Sequence, residues 1–276
     1  MNPGPVSPLY GDKTCSSSDD ESTLTDTSSV ISEELNDSFT SEPDSQDIQG
    51  HFNLGLGNKG LRFGTWNVNG LTLSKFDQIR LFILSSDNRP QIDILSINES
   101  HLKPSTSDSL YEVPGFDIHR SDRKGSMKKG GVLVYVNKKI KHKRRTDLED
   151  SRIEAVWLEV YPYKSNRPLL FAGVYRRPAY LKEDDELLEK NIESAYLLNL
   201  ETIISGDTNV NYLTFQVFRK HRLIRALTSM HFKQLVTQVT RPISKTCLDH
   251  IFSNRPERIH FVGVRISGLA DHLPVF

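Results

Sequence analysis

The stretch on which the predicted fold depends is TIISGDTNVN, at residues 202–211. Its first half is short, apolar and β-branched, which predicts a buried strand. Gly206 then permits a sharp turn, and Asp207 and Asn209 follow at positions i and i+2. In extended backbone that spacing directs both side chains to one side, where they can orient a water or hold a hydrated metal. Taken alone, an Asp-x-Asn sequence after a strand is more often an Asx-turn.

Charge divides the chain into two regions, although its net charge is zero. Residues 1–50 hold 11 acidic residues against one lysine, whereas the remainder holds 34 basic residues against 24 acidic ones. The first 50 residues also contain 16 serines and threonines and few large apolar groups, so they cannot offset the entropy of folding. We predict an acidic, disordered tail over residues 1–60 and a basic folded domain over residues 61–276 that suits a polyanionic partner.

Cysteine content and hydropathy indicate the cellular compartment of the protein. Cys15 and Cys247 are the only cysteines, so no disulfide framework or thiolate zinc site is available. No apolar run approaches the roughly 18 residues of a membrane span. We therefore expect a soluble, intracellular protein with no membrane partner.

Apolar periodicity predicts more strands than helices. Apolar residues at helical spacing predict helices at residues 75–85, 184–200 and 213–230. The second of these helices is expected to direct inward Leu187, Leu188, Ile192, Tyr196, Leu197 and Leu200. Alternating or continuous apolar runs predict strands at residues 61–70, 92–97, 116–119, 131–136, 155–161, 169–175, 202–205, 234–237, 248–252 and 259–266. Consecutive strands often follow each other without a helix, which predicts two mixed β-sheets packed face to face with helices outside, a four-layered α/β sandwich.

Polar clusters follow the ends of the predicted strands, where a rigid sandwich presents convergent side chains. They comprise Asn67 with Asn69, Glu99, Tyr175, Asp207 with Asn209, Asp249, and Asp271 with His272. These residue types suit phosphodiester hydrolysis. Glu99 is a hard ligand for Mg²⁺, and Asp207 with Asn209 can orient and deprotonate water. His272 as an imidazolium can donate to a phosphate oxygen if a carboxylate, for which Asp249 is the candidate, raises its pKa.

Six motifs carry a resemblance to a known family: WNVNGL, INESHL, GVYRRP, SGDTN, CLDHIF and ADHLPV, in that order over residues 66–275. The sequence over residues 61–276 resembles the endonuclease/exonuclease/phosphatase superfamily. It is most similar to the endonuclease domains of LINE-type retrotransposons, whose fold is deoxyribonuclease-like. The departures are Thr208 for an aromatic residue, Ala270 for a serine, and the Ser-His that follows Glu99.

The resemblance implies a role for each matching residue. It assigns the metal, Mg²⁺ with Mn²⁺ as the alternative, to Asn67, Glu99, Asp207, Asn209, Asp271 and His272. It assigns catalysis to Tyr175, Asp207, Asn209, Asp249 and His272, and contacts with the phosphate or DNA to Asn69, Arg176 and Thr246. The basic clusters at residues 120–145 are either solvated loop ends or contacts to a DNA backbone.

The expected function is therefore a Mg²⁺-dependent endonuclease that nicks DNA and leaves a 3′-hydroxyl, as LINE-type elements do to prime reverse transcription. The resemblance implies DNA and a reverse transcriptase domain as partners, and the nucleus as the location. One alternative is the same chemistry on abasic sites, RNA, or a phospholipid or inositol phosphate. Another alternative follows from the end of the chain at Phe276, inside the predicted last strand: an inactive, truncated remnant that only binds nucleic acid.

Overall fold

A computed structural model describes residues 54, 56, 60–84, 90–122, 129–163, 165, 167–178 and 180–276. The acidic tail predicted over residues 1–60 lies almost entirely outside the described residues. None of the helices in the described ranges is long and apolar enough to cross a membrane.

The first sheet has four strands in the order β1-β2-β4-β3. Its strands are β1 Phe63–Asn67, β2 Ile94–Asn98, β3 Phe116–Ser121 and β4 Val132–Asn137. β1 and β2 are parallel, and β4 is antiparallel to both β2 and β3. The register places Asn67 beside Asn98 at one end of the sheet, so the segments that follow both strands leave the sheet at the same rim.

The second sheet has six strands in the order β5-β6-β7-β8-β10-β9. Its strands are β5 Lys141–Arg144, β6 Glu154–Tyr161, β7 Leu169–Tyr175, β8 Glu201–Asp207, β9 Lys233–Gln234 and β10 Asp249–Ser253. Only β7 and β8 are parallel. The register of the antiparallel pair β8 and β10 places Asp207 directly beside Asp249.

Apolar side chains from both sheets form the central core between them. Val132, Val134 and Val136 of β4 share this core with Val156, Leu158 and Val160 of β6. Alternate residues of β4, Leu133 and Tyr135, face the opposite way and pack with α1 Leu73–Ile83. On the second sheet, α2 Lys182–Tyr196 and α4 Arg222–Ser229 cover the outer face. The predicted four-layered sandwich of two mixed sheets with helices outside is confirmed.

Four local predictions were wrong. The helix predicted over residues 213–230 is split at His221, whose backbone is extended, into α3 Phe215–Lys220 and α4. Leu197 is 75% exposed because α2 ends at Tyr196. No strand forms over residues 259–266, where Val264 makes a single bridge to Val275, which in turn pairs with Thr65 of β1. β5 was not predicted because its residues are charged, as is common on edge strands.

Gly206 lies inside β8 and not in a turn, so its predicted role needs correction. Its φ is +153°, and a Cβ at this position would stand 1.8 Å from the carbonyl oxygen of Val174 on β7. The glycine is needed because the two parallel strands approach each other closely at this point.

We expect Gly206→Ala to lower the free energy of unfolding by more than about 3 kcal/mol, because backbone must move to relieve the clash. The measurement is urea unfolding followed by circular dichroism. Gly268→Ala is the matched control, because a Cβ there meets no heavy atom within 4 Å. A Gly206→Ala protein as stable as the Gly268→Ala protein would contradict the proposed constraint.

Candidate active site

The side chain of Asn98, at the end of β2, joins the two sheets beneath the rim. Its Oδ1 accepts hydrogen bonds from the Thr65 hydroxyl at 2.9 Å and the Asp207 backbone N–H at 3.1 Å. Its Nδ2 donates to the Val174 carbonyl at 3.1 Å. Because Asn98 is fully buried, losing these bonds would leave several polar groups unsatisfied. Asn98 therefore fixes the position of β8 relative to β2.

Asn67 joins two carboxylates at the rim. Its Nδ2 donates to Glu99 Oε1 and to Asp207 Oδ2, each at 2.8 Å. Its Oδ1 accepts from the backbone N–H of Asn69 at 3.0 Å, which closes a turn immediately after β1. The carboxylates of Glu99 and Asp207, which come from different sheets, therefore converge on one amide nitrogen.

Glu99 follows β2 with a positive φ of 50°, a conformation uncommon for this residue type. Burial opposes ionisation of its carboxyl, but hydrogen bonds with Asn67, His101 and Tyr175 outweigh burial and lower the pKa of Glu99. His101 Nε2 lies 3.2 Å from Glu99 Oε2. Glu99 is thus ionised, and 16% of its side chain remains exposed to a ligand.

Asp207 ends β8 and is almost completely buried. Its Oδ1 accepts from the Asn209 backbone N–H at 2.8 Å, so an Asx-turn is indeed present. The Asn209 side chain donates to the Arg176 carbonyl at 2.9 Å. Burial, and then the nearby carboxylate of Asp249, raise the pKa of Asp207 to about 8. A neighbouring cation would favour its ionised form.

Asp249 and His272 form a buried pair beside Asp207. His272 Nδ1 lies 2.7 Å from Asp249 Oδ2, and the Trp66 indole donates to the His272 carbonyl at 3.0 Å. Burial disfavours the imidazolium, but the hydrogen bond and the charge of Asp249, supported by Asp207, raise the pKa of His272 to about 9. The histidine is therefore held protonated at neutral pH, with Nε2 as its second donor.

The donor set at the rim fits a divalent cation that prefers oxygen ligands. Glu99 and Asp207 supply carboxylate oxygens, and Asn67 brings both together. Potential ligand atoms of Asp207, Asp249 and His272 all lie within 4.8 Å of one another. Asp249 Oδ1 and Asp271 Oδ1 are buried without a hydrogen-bond partner. Such clustered negative charge is costly unless a positive charge offsets it.

The remaining predicted residues occupy different environments. The Asp271 carboxylate accepts from Arg241, and this hydrogen bond outweighs burial and lowers the pKa of Asp271. Asn69 is exposed, and the Thr246 hydroxyl lies 2.7 Å from that of Ser244. Arg176 differs most from its predicted role in binding phosphate.

The Arg176 guanidinium is buried and pairs with both oxygens of Asp185 on α2, at 2.7 and 2.9 Å. A further N–H points to the Thr208 carbonyl at 3.3 Å. These contacts engage the guanidinium within the protein, and its contact with phosphate stays a prediction. Its position in a motif gave no indication of this partner, which lies nine residues further along the chain.

Sequence reasoning did not identify three residues that shape the site. Asn98 and His101 flank Glu99 in the INESHL motif, and Thr240 accepts from the backbone N–H groups of Leu248 and Asp249. The sequence did offer a signal for Asn98, which is a polar residue at the end of the apolar strand β2. A buried amide must find hydrogen-bond partners, so this position predicts a contact with another element. No local signal marks Thr240.

The fold and the rim define a hydrolase of the deoxyribonuclease-like sandwich class. The model of the endonuclease/exonuclease/phosphatase family matches residues 64–272, and the chain belongs to this family. No curated protein sequence matches the chain.

Several solved structures share the fold at low identity. The endonuclease domain of TRAS1, a telomere-specific non-LTR retrotransposon, is similar with a TM-score of 0.58 and 14% identity, covering 78% of this chain and 96% of that one. The AP endonuclease LMAP from Leishmania major has a TM-score of 0.60 and 14% identity, covering 78% of this chain and 86% of that one. A mannosyl-6-phosphatase from Bacteroides thetaiotaomicron VPI-5482 has a TM-score of 0.52 and 14% identity, covering 78% of this chain and 98% of that one.

Replacing Asp249 with asparagine tests what holds the proton on His272. The amide keeps the size of the side chain but removes its charge, so we expect the pKa of His272 to fall by at least about 1.5 units from its value of about 9. The measurement is an NMR titration of the histidine ring signals, with His272→Asn identifying the resonance. An unchanged pKa would contradict the assigned pairing.

The same pair predicts how stability depends on pH in the metal-free protein. Because the pKa of His272 in the folded state exceeds 6.5, its contribution is fully present below pH 6.5 and is lost as pH rises through about 9. Asp207, whose pKa is raised to about 8, adds a loss of the same sign as pH rises to about 8. We expect urea unfolding to show this loss in the parent protein. In Asp249→Asn the slope in this window should be shallower, and a slope equal to that of the parent would refute the prediction.

Proposed function

We propose that this hydrolase is a Mg²⁺-dependent endonuclease that nicks DNA and leaves a 3′-hydroxyl. The observation that carries the proposal is the convergence of Glu99 and Asp207 on the Asn67 amide, next to the pair of Asp249 and His272. The rim thus combines an oxygen-rich cation site with a protonated imidazole. In-line attack of water on a phosphodiester needs both kinds of group.

Each residue at the rim has a distinct task in this proposal. Mg²⁺, held by Glu99 with Asp207 and Asn67, would supply positive charge to a phosphate oxygen and favour ionised Asp207. Asp207 then accepts a proton from the attacking water while the bond from phosphorus to the 3′ oxygen breaks, and the departing 3′ oxygen takes a proton from solvent. Asn209 fixes the Asp207 carboxylate through its backbone N–H. His272 Nε2 donates a hydrogen bond to a non-bridging phosphate oxygen as its negative charge grows.

Asp249 and Tyr175 have supporting roles in the proposed reaction. Asp249 keeps His272 protonated and holds its ring by the bond to Nδ1. Burial and the charges of Glu99 and Asp207 raise the pKa of Tyr175, so its hydroxyl stays protonated and can donate at the scissile phosphate. The proposed contacts of Asn69 and Thr246 with the DNA backbone rest on the family resemblance alone.

Nicking of supercoiled plasmid in the presence of Mg²⁺ is the decisive measurement. We expect Glu99→Gln, Asp207→Asn and His272→Ala each to reduce the rate at least about 10³-fold, because each loses a charge that the reaction requires. His260→Ala, at an exposed position outside the six motifs, is the control and should nick normally. EDTA should abolish nicking, and DNA ligase should reseal the product, since it joins a 3′-hydroxyl to a 5′-phosphate.

Failure of Mg²⁺-dependent nicking by a protein that melts cooperatively would reject the proposal. The same centre acting on abasic sites, RNA or a small phosphoester is the second candidate, and the shared fold of the AP endonuclease and phosphatase structures favours testing it. Abasic duplex, RNA and a lipid or inositol phosphate serve as parallel substrates. Binding of duplex DNA without turnover of any of them would identify an inactive binding protein.

A further inference from the structure

A second group of potential metal ligands lies on strands that carry none of the candidate catalytic residues. His119 belongs to β3, the edge strand of the first sheet, and His142 belongs to β5, the edge strand of the second. Their Nε2 atoms are 3.0 Å apart. The ring centroids are 5.1 Å apart and the ring planes meet at 89°. The pair therefore connects the edges of the two sheets.

The proton on His142 is fixed by the backbone. His142 Nδ1 lies 2.8 Å from the Ile140 carbonyl, which can only accept, so Nδ1 carries the proton in the neutral ring. The lone pair is then on Nε2, the atom that faces His119. An imidazole whose second N–H donates to a backbone carbonyl is the usual arrangement of a histidine that binds a metal.

Asp117 is a candidate third donor that lies near His142 and must reorient to join both rings. It precedes His119 by two residues on β3, so both side chains leave the same face of the strand. Its Oδ2 is 3.7 Å from His142 Nε2, and Lys138 Nζ is 3.9 Å from its Oδ1. Because 44% of its side chain is exposed, Asp117 can reorient without disturbing the core. The carboxylate would add a negative charge to the two neutral rings.

We propose that His119, His142 and Asp117 bind a divalent transition metal ion of the zinc class. Two nitrogens bound to zinc at about 2.0–2.1 Å stand about 3.3 Å apart at the tetrahedral angle. The observed separation of 3.0 Å needs to widen by only a few tenths of an ångström. Two imidazoles and one carboxylate leave the fourth position to water, and this donor set suits zinc better than Mg²⁺.

The charges around the cluster permit a cation. Positive groups nearby include Lys138, which is 3.9 Å from Asp117, and Arg144. The Arg144 guanidinium pairs with Glu149 at 2.9 and 3.0 Å, which offsets its charge. Burial first, and then His142 and Arg144, lower the pKa of His119 to about 4, so its ring is neutral at physiological pH. The His119 imidazole is thus in the form that binds metals.

An ion at this position would couple the two sheets. In the metal-free protein His119 Nε2–H donates a hydrogen bond to His142 Nε2. To bind the ion through Nε2, the neutral His119 ring moves its proton to Nδ1, and the ion takes the place of the hydrogen bond. Because the ligands come from both edge strands, the complete site exists only in the folded state. Zinc binding would therefore stabilise the sandwich in proportion to ion concentration.

Calorimetric titration of the full chain with Zn²⁺ tests the proposal. The titration uses a His272→Ala background, which removes the imidazole that lies near Asp207 and Asp249 in the candidate active site. We expect one strong site, and His119→Gln or His142→Gln should each weaken it at least about tenfold. Asp117→Asn should weaken it less, and exposed His260→Gln is the matched control and should leave it unchanged. Equal Zn²⁺ affinity in the parent and both glutamine variants would overturn the proposal.

Two further measurements cover a variant that fails to fold. In the protein with both histidines intact, Zn²⁺ should shift the ring ¹⁵N signals of His119 and His142 together, and signals unchanged at saturating Zn²⁺ would refute the site. Zn²⁺ should also raise the melting temperature more in the parent than in whichever glutamine variant folds. All these readouts are independent of nuclease activity, so they stand or fall separately from the function proposed above.

Discussion

The hydrogen bonds of Asn67 and Asn98 across the two sheets are the interactions on which the candidate site depends. Asn98 ties the Asp207 backbone to the first sheet, and Asn67 ties the Asp207 carboxylate to Glu99. Both amides end strands of the first sheet and contact the second, so packing of the core and assembly of the site are one event. A shift of β8 by one residue would break both bonds to Asp207 and direct its side chain to the other face.

This arrangement places a large electrostatic cost at the rim. Asp207 and Asp249 are neighbours on paired strands, and both are almost completely buried. The imidazolium of His272 offsets part of the repulsion, yet the pKa of Asp207 remains raised to about 8. In the proposed function a bound cation would offset this cost, and an apolar substitution that removed the cost would also remove the proposed ligands.

Sequence patterns predicted the layers and the members of the rim because both follow from local periodicity and strand ends. They could not predict what depends on distant partners. Arg176 was expected to contact phosphate, and no sequence pattern indicated that its guanidinium pairs with Asp185 on α2. Gly206 was expected in a turn, but it is required by the carbonyl of Val174. β5 resembles a solvated basic loop in sequence, and only its pairing with β6 makes it a strand.

The excess of basic over acidic residues in the domain overstates its capacity to bind phosphate. Many of its arginines already form ion pairs with acidic side chains, among them Arg62, Arg120, Arg144, Arg145, Arg176, Arg222 and Arg258. A phosphate must displace or share those partners, which reduces the gain. Lys141 and Lys143 of β5 are exposed and hydrated, so their attraction to a polyanion is long-ranged, weak per residue and sensitive to salt. Selectivity among phosphoesters must therefore come from the geometry of the rim and its loops, and charge alone sets only a general preference for polyanions.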